Sequence, residues 1–364
     1  MTAVTAPPRR PAAAVLRDGR LALLAGLVLL VVLAIGLGPT ILREATRDWI
    51  AYDQAADRLA AGEPLYVFEL ATPDDEYYLY PPPAAAIWGA VPSPDALLVL
   101  KVVALAAGGT LALVAWPAAR PGERVALAVA LAAAALVAAP NLHDLVLGNV
   151  MALYVGAVAI SLARPGWLGA VPLGIVCAVA LKPVIGPYLL WLLVRRRADA
   201  GRVVAVGLAV TAVFAVLLGP GRYAEYLVAL PRMSVLVDLP SGNVGLSLIS
   251  REVAIVGVAA AYIATGLAAL RLDAWRAAAI SIAMGLLAQP SIGFNYAGLL
   301  LPAVVALWAA DRVAGFVAIV AVPLVAVLSP PLASIVIVGL AVVGLDGRMS
   351  PAANGSGAVG EAAR

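Results

Sequence analysis

"ALKPVIGPYLLWLLVRRRADAGRVVAVGLAVTAVFAVLLG" occupies residues 180–219. Two apolar runs, 184–194 and 202–219, flank Arg195, Arg196 and Arg197, and a single lysine, Lys182, opens the stretch. The second run approaches the ~20 apolar residues that cross a bilayer. The arginines between the runs orient them, because basic loops stay on the cytoplasmic side. The same alternation recurs along the chain, with spans near 21–42, 95–116, 125–140, 149–163, 167–182, 184–194, 202–219, 252–270, 276–290, 295–310, 313–328 and 331–344. The pairs 167–194 and 313–344 each carry a central proline, so each is a broken helix, a long hairpin or two half-spans. The chain has 364 residues, of which 63% are hydrophobic and 12% charged. Soluble domains are about 45–50% apolar. The expected fold class is an all-α polytopic membrane protein with about 10–12 transmembrane helices.

With the N-terminus inside, 16 of the 24 basic residues and 7 of the 21 acids fall in inner loops. That places residues 1–20 as a cytoplasmic tail, 21–346 as one multispanning domain, and 347–364 as a cytoplasmic tail of disorder-like composition. The segments 43–94 and 220–251 become the first and second outer loops. Other classes are excluded by what the chain lacks. One cysteine, Cys177, and one histidine, His143, leave no intramolecular disulfide and no Cys- or His-cluster metal site. There is no Walker A loop, Rossmann fingerprint, HExxH or GxSxG, which speaks against a nucleotide-driven pump or a hydrolase. The basic residues are scattered between spans, so nucleic acid is not an expected partner.

The first outer loop contains "RDWIAYDQAADRLAAGEPLYVFELATPDDEYYLYPPP", residues 47–83, with eight of the 21 acids and five of the 11 tyrosines. Its apolar positions predict an interfacial helix over 49–61. Trp49, Ile50, Ala56, Leu59 and Ala60 would face the bilayer; Asp53, Asp57 and Arg58 would face water. Asp48 precedes it at an N-cap position, and Gly62 and Pro64 end it. After the three prolines, residues 84–92 are too short to cross, so they either dip into the membrane or lie along it. Further polar groups fall on the same side: Asn141, His143, Asp144 and Asn149, then Arg222, Tyr223, Arg232, Asp238, Asn243 and Arg251, and finally Gln289, Ser291, Asn295 and Tyr296. Lys182 is one of two lysines among 22 arginines. A charge at an apolar break is costly; it either snorkels to the interface or serves a ligand.

Five stretches together resemble glycosyltransferase family 87, the polyprenyl-phosphate-mannose-dependent mannosyltransferases. "DWIAYDQAADRLAAGEPLY" (48–66) looks like that family's first outer loop, and "YLYPPPAAAIWGAVP" (78–92) like its Y-P-P motif. "ALKPVIGPYLLWLLVRRR" (180–197), "SGNVGLSLISR" (241–251) and "QPSIGFNYAGLLLP" (289–302) resemble its later signatures. The resemblance implies the C-type glycosyltransferase architecture, with a lipid-phosphate sugar as donor and no nucleotide, cofactor or metal. It also implies extracytoplasmic chemistry on a glycolipid or lipoglycan acceptor, among membrane lipids. By matching positions, Asp48 is the implied general base, and Lys182 and Arg251 the implied ligands of the donor phosphate. Tyr52, Tyr80, Asp144, Asn149, Asn243, Asn295 and Tyr296 are the implied substrate-lining residues. Three positions depart from the pattern: Asn295 stands where the family has histidine, Asn149 where it has glutamine, and Met151 where it has asparagine. Two other classes compete: a lipid or solute transporter, for which no internal repeat is visible, and a non-catalytic envelope-assembly protein, which the Asn295 departure favours.

Overall fold

The computed structural model describes residues 47–69, 77–91, 93, 96, 150–236, 245–289 and 294–344. Among these, every regular element is helical. The expected spans 21–42, 95–116 and 125–140 and both tails lie outside the described residues. The first two helices are α1 (Arg47–Ala61) and α2 (Pro82–Gly89). The bundle that follows contains α3 (Met151–Ala163), α4 (Trp167–Val179), α5 (Gly186–Arg195), α6 (Arg197–Leu218) and α7 (Pro220–Leu236). It continues with α8 (Arg251–Arg271), α9 (Ala274–Ala288), α10 (Leu300–Ala310), α11 (Arg312–Leu328) and α12 (Pro330–Val343). Three 3-10 turns interrupt it, at Pro183–Ile185, Leu246–Leu248 and Phe294–Leu299. The nine spans expected from residue 149 onward correspond in order to α3–α6 and α8–α12.

Helix α9 is the core. It is buried without interruption from Ala277 to Leu286, and α5, α8, α10 and α12 pack around it. Its small residues let those neighbours approach closely. At Gly285 a Cβ would collide with the Val184 carbonyl oxygen, so the 3-10 turn at Pro183–Ile185 rests directly on the α9 backbone. Gly174 gives α4 the same close approach to α6, at Val203 and Val206.

Among the described residues, α6 and α8 are the two helices long and apolar enough to cross a membrane. Their 22 and 21 residues reach about 33 and 31 Å at 1.5 Å per residue. Their apolar side chains face outward: Leu208 is 65% and Val216 85% exposed on α6, and Ile255, Val256, Ile263 and Leu270 are exposed on α8. Water penalises such a surface, whereas lipid accepts it provided that the backbone is satisfied internally, as it is in a helix. The chain is therefore a helical protein compatible with membrane association.

The arginine-rich turns meet along one edge of the bundle. Arg196 donates to the Ser161 carbonyl at 2.9 Å, and the Gly166 N–H donates to Asp199 at 2.9 Å. Arg195 donates to the Leu272 carbonyl, and Arg276 lies 3.6 Å from Asp311. The acids there are local fasteners. Asp273 accepts from the Trp275 and Arg276 N–H groups and caps α9, and Asp311 accepts from Ala314 N–H and caps α11.

Three details of the sequence reading change. Asp48 lies within the first turn of α1 as described, not ahead of it. Ala56 is turned towards α2: a Cβ on Gly89 would strike the Ala56 Cβ, so α1 and α2 pack closely there. The stretch expected to be the second outer loop carries the 17-residue helix α7. Its charges and Pro231 read as a loop, yet Tyr223, Tyr226, Leu227 and Leu230 fall at helical spacing. Gly219, at φ +86°, makes the turn that starts it.

Gly285→Ala is expected to lower stability by about 1–3 kcal/mol, the usual range for overpacking a tight contact. Gly266→Ala, whose Cβ meets nothing within 4 Å in α8, is expected to be neutral or stabilising. Thermal unfolding midpoints in detergent check both.

Candidate functional site

The site begins with a proline. Pro183 forces the residue before it out of the helical region, and Lys182 is extended at φ −127°, ψ 133°. The helix that began at Trp167 therefore stops at Val179. Stopping it inside an apolar bundle strands backbone groups that need partners. Tyr154, fully buried on α3, supplies them: its hydroxyl donates to the Ala180 carbonyl at 2.6 Å and accepts from the Lys182 N–H at 3.2 Å. Beyond the turn, Gly186 allows Tyr262 of α8 to press against the start of α5.

This break holds the Lys182 side chain in place. It is 8% exposed. Its ammonium donates to the Tyr296 hydroxyl at 3.1 Å and lies 4.7 Å from the Tyr296 ring centre and 5.1 Å from that of Tyr80. Aromatic faces attract a cation, more strongly where water is excluded.

The Tyr80 wall continues into α1 and α2. Tyr52 of α1 meets Tyr80 edge-on at 5.2 Å and Trp88 of α2 at 5.8 Å. Tyr78 is 6.2 Å from Tyr80, and Tyr66 is 5.7 Å from both Tyr78 and Tyr226. Hydrogen bonds fix these rings. Pro82 and Pro83 have no N–H, so the first donors of α2 are those of Ala84 and Ala85. Ala85 donates to the Tyr78 hydroxyl at 2.7 Å, which donates in turn to the Pro81 carbonyl at 2.7 Å. The Tyr66 hydroxyl donates to the Tyr80 carbonyl at 2.9 Å. Burial pushes the Tyr66 and Tyr78 phenols above their ordinary value, so both stay neutral and keep their hydrogens. Trp88 is buried, and its indole N–H has no partner among the described residues.

Helix α7 clamps this wall from the stretch 220–236. Glu225 accepts from the Leu65 and Tyr66 N–H groups at 2.5 and 3.2 Å. Arg222 holds Glu225 at 3.1 Å and donates to the Glu63 carbonyl at 2.7 Å. A carboxylate that receives two backbone donors and a guanidinium is a strong fastener.

Of the residues singled out in the sequence, the structure brings together Tyr52, Tyr80, Lys182 and Tyr296. Arg251, unlike Tyr52 and Lys182, is exposed, at the first position of α8. Position 48 lies one turn before Tyr52 on α1; the Asp48 side chain is outside the described part. Asn295 occupies the 3-10 turn beside Tyr296, with its side chain likewise outside it. Asp144, Asn149, Asn243 and His143 are outside the described residues. Sequence reading missed Tyr154 and Glu225. Tyr154 carried a signal: a tyrosine amid "MALYVGAVAI" buries a hydroxyl that must find a partner. Glu225 carried none until its segment was seen as a helix.

No family model matches the chain, and no curated protein or solved structure matches it.

Tyr154→Phe is expected to cost about 1–3 kcal/mol, the range for a buried amide left without its partner. Thermal unfolding measures that loss. Amine-specific labelling should show Lys182 becoming more reactive than in the native protein.

Proposed function

We propose that this chain is a membrane glycosyltransferase. It moves a hexose, in the first instance mannose, from a polyprenyl-phosphate donor to a glycolipid or lipoglycan acceptor on the extracytoplasmic face. The finer architecture belongs to the same proposal: a C-type glycosyltransferase with about 10–12 transmembrane helices and both termini cytoplasmic. One observation carries the reading. Lys182 is a buried ammonium held at a helix break and walled by Tyr80 and Tyr296. A fixed cation at an apolar break suits the phosphate of a lipid carrier, whose chain needs lipid and whose headgroup needs charge.

In this mechanism the acceptor hydroxyl oxygen attacks the anomeric carbon. The bond from that carbon to the phosphate oxygen breaks, and polyprenyl phosphate leaves. Asp48 takes the hydroxyl proton as the new bond forms. Lys182 meets the charge that gathers on the departing phosphate, which is where a preorganised cation has most effect. Tyr52, Tyr80 and Tyr296 offer faces and hydroxyls to the sugar. Arg251, exposed at the start of α8, is a phosphate ligand only from outside the Lys182 cage.

The test is sugar transfer from labelled polyprenyl-phosphate mannose by the purified chain. Asp48→Asn should lower turnover by ~10²–10⁴-fold, the range for a lost general base, with donor binding kept. Ordinary turnover by this variant would remove Asp48 from the role. Vesicles that move a labelled lipid with no new glycosidic product would replace the enzyme with a transporter.

A further inference from the structure

The arginine-rich edge has an organisation that sugar transfer does not use. Helices α4 and α6 run side by side with their N-termini at this edge: Arg202 lies 5.8 Å over the Trp167 ring, and one turn or two further on Gly174 faces Val203 and Val206. Helix N-termini carry partial positive charge. Asp273 and Asp311, further along this edge, are engaged by Arg276, and at the starts of α4 and α6 Arg164, Arg195, Arg196, Arg197 and Arg202 gather against Asp199. That acid is already saturated: it pairs with Arg196 at 2.5 Å and Arg202 at 2.6 Å and accepts from the Gly166 N–H at 2.9 Å. The edge therefore keeps a strong positive excess, with Arg164 exposed in the turn before Trp167.

Apolar surface continues from this edge along the same seam. Trp167 is 58% and Leu168 70% exposed, and Val171 and Ile175 follow on the same stripe of α4. On α6, Arg202, Ala205, Ala209 and Val213 share the matching flank by their spacing, and the last three are exposed. A basic end with an exposed tryptophan and an apolar seam running away from it is complementary to one kind of molecule. The phosphate of an anionic glycerophospholipid would meet the arginines, and its acyl chain would follow the seam.

We propose that the α4–α6 seam holds an anionic glycerophospholipid, with its headgroup phosphate between Arg164 and Arg202 beside Trp167 and an acyl chain against Leu168, Val171 and Ile175. The contact is separate from the Lys182 cage and does not depend on the activity proposed above.

The experiment uses the full chain in vesicles that mix phosphatidylglycerol and phosphatidylcholine, with one or the other brominated. Bromine quenches nearby tryptophans, and the component missing in Trp167→Phe reports this seam. The ratio of quenching by the two lipids gives their relative occupancy. A ratio of about 3 or more for the anionic lipid is expected, falling towards 1 in Arg164→Gln and in Arg164→Gln/Arg202→Gln, against a retained ratio in Arg232→Gln. Among the described residues Arg164 makes no ion pair, so Arg164→Gln alone keeps the test open if the double variant fails to fold. An equal ratio in the native chain, or a preference that survives Arg164→Gln, overturns the proposal. So does loss of the preference on adding soluble glycerol phosphate, which would make the headgroup alone the ligand.

Discussion

Everything at the candidate site depends on a single hydroxyl. Pro183 breaks a helix inside an apolar bundle, and the Tyr154 hydroxyl bridges the gap by donating to Ala180 and accepting from Lys182. Without that bridge, the break would leave an amide and a carbonyl buried and unpaired, each at a cost of about 1–3 kcal/mol. With it, an extended residue can persist where a helix would be the default, and the extended residue is the lysine. Gly285 completes the arrangement by letting the turn settle onto the buried α9. A proline, a tyrosine and a glycine from separate helices thus specify where one positive charge sits.

The segments around α1, α2 and α7 are built to the same end. Two stretches far apart in sequence, 63–66 and 222–226, are tied through Glu225 and Arg222. The tie sets Tyr66, Tyr66 sets the Tyr80 backbone, and the Tyr80 ring faces Lys182. Aromatic contacts fill the path between, from Trp88 and Tyr52 on one side to Tyr226 on the other. The described acids of this stretch, Asp53, Asp57, Glu63 and Glu69, are exposed, while the carboxylate that receives the Leu65 and Tyr66 amides comes from α7.

Much of this was legible in the sequence, for identifiable reasons. Apolar runs bounded by arginines mark helices because burial and charge act over a dozen residues at once, and nine helices lie where apolar runs were read; two of them are long and apolar enough to cross a membrane. Lys182 stood out because an ammonium in apolar surroundings is expensive and so needs a reason. What stayed hidden were pairings between distant positions. Nothing local to Glu225 says that it will receive the Leu65 and Tyr66 amides, and nothing local to Gly89 says that Ala56 will lie against it. Helix α7 was read as a loop because its charges and Pro231 outweigh a modest apolar stripe by eye. The stripe still wins, because Tyr226 reaches Tyr66 and the helix gains a partner.

The central claim is that the Lys182 cage receives the phosphate of a lipid carrier. It is tested most directly by binding sugar-free polyprenyl phosphate to the purified chain and to Lys182→Met, with folding of both verified by thermal unfolding. The account predicts at least tenfold weaker binding by Lys182→Met, which is about 1.4 kcal/mol, and undiminished binding by Asp48→Asn. A folded Lys182→Met that binds polyprenyl phosphate as tightly as the native chain would contradict it.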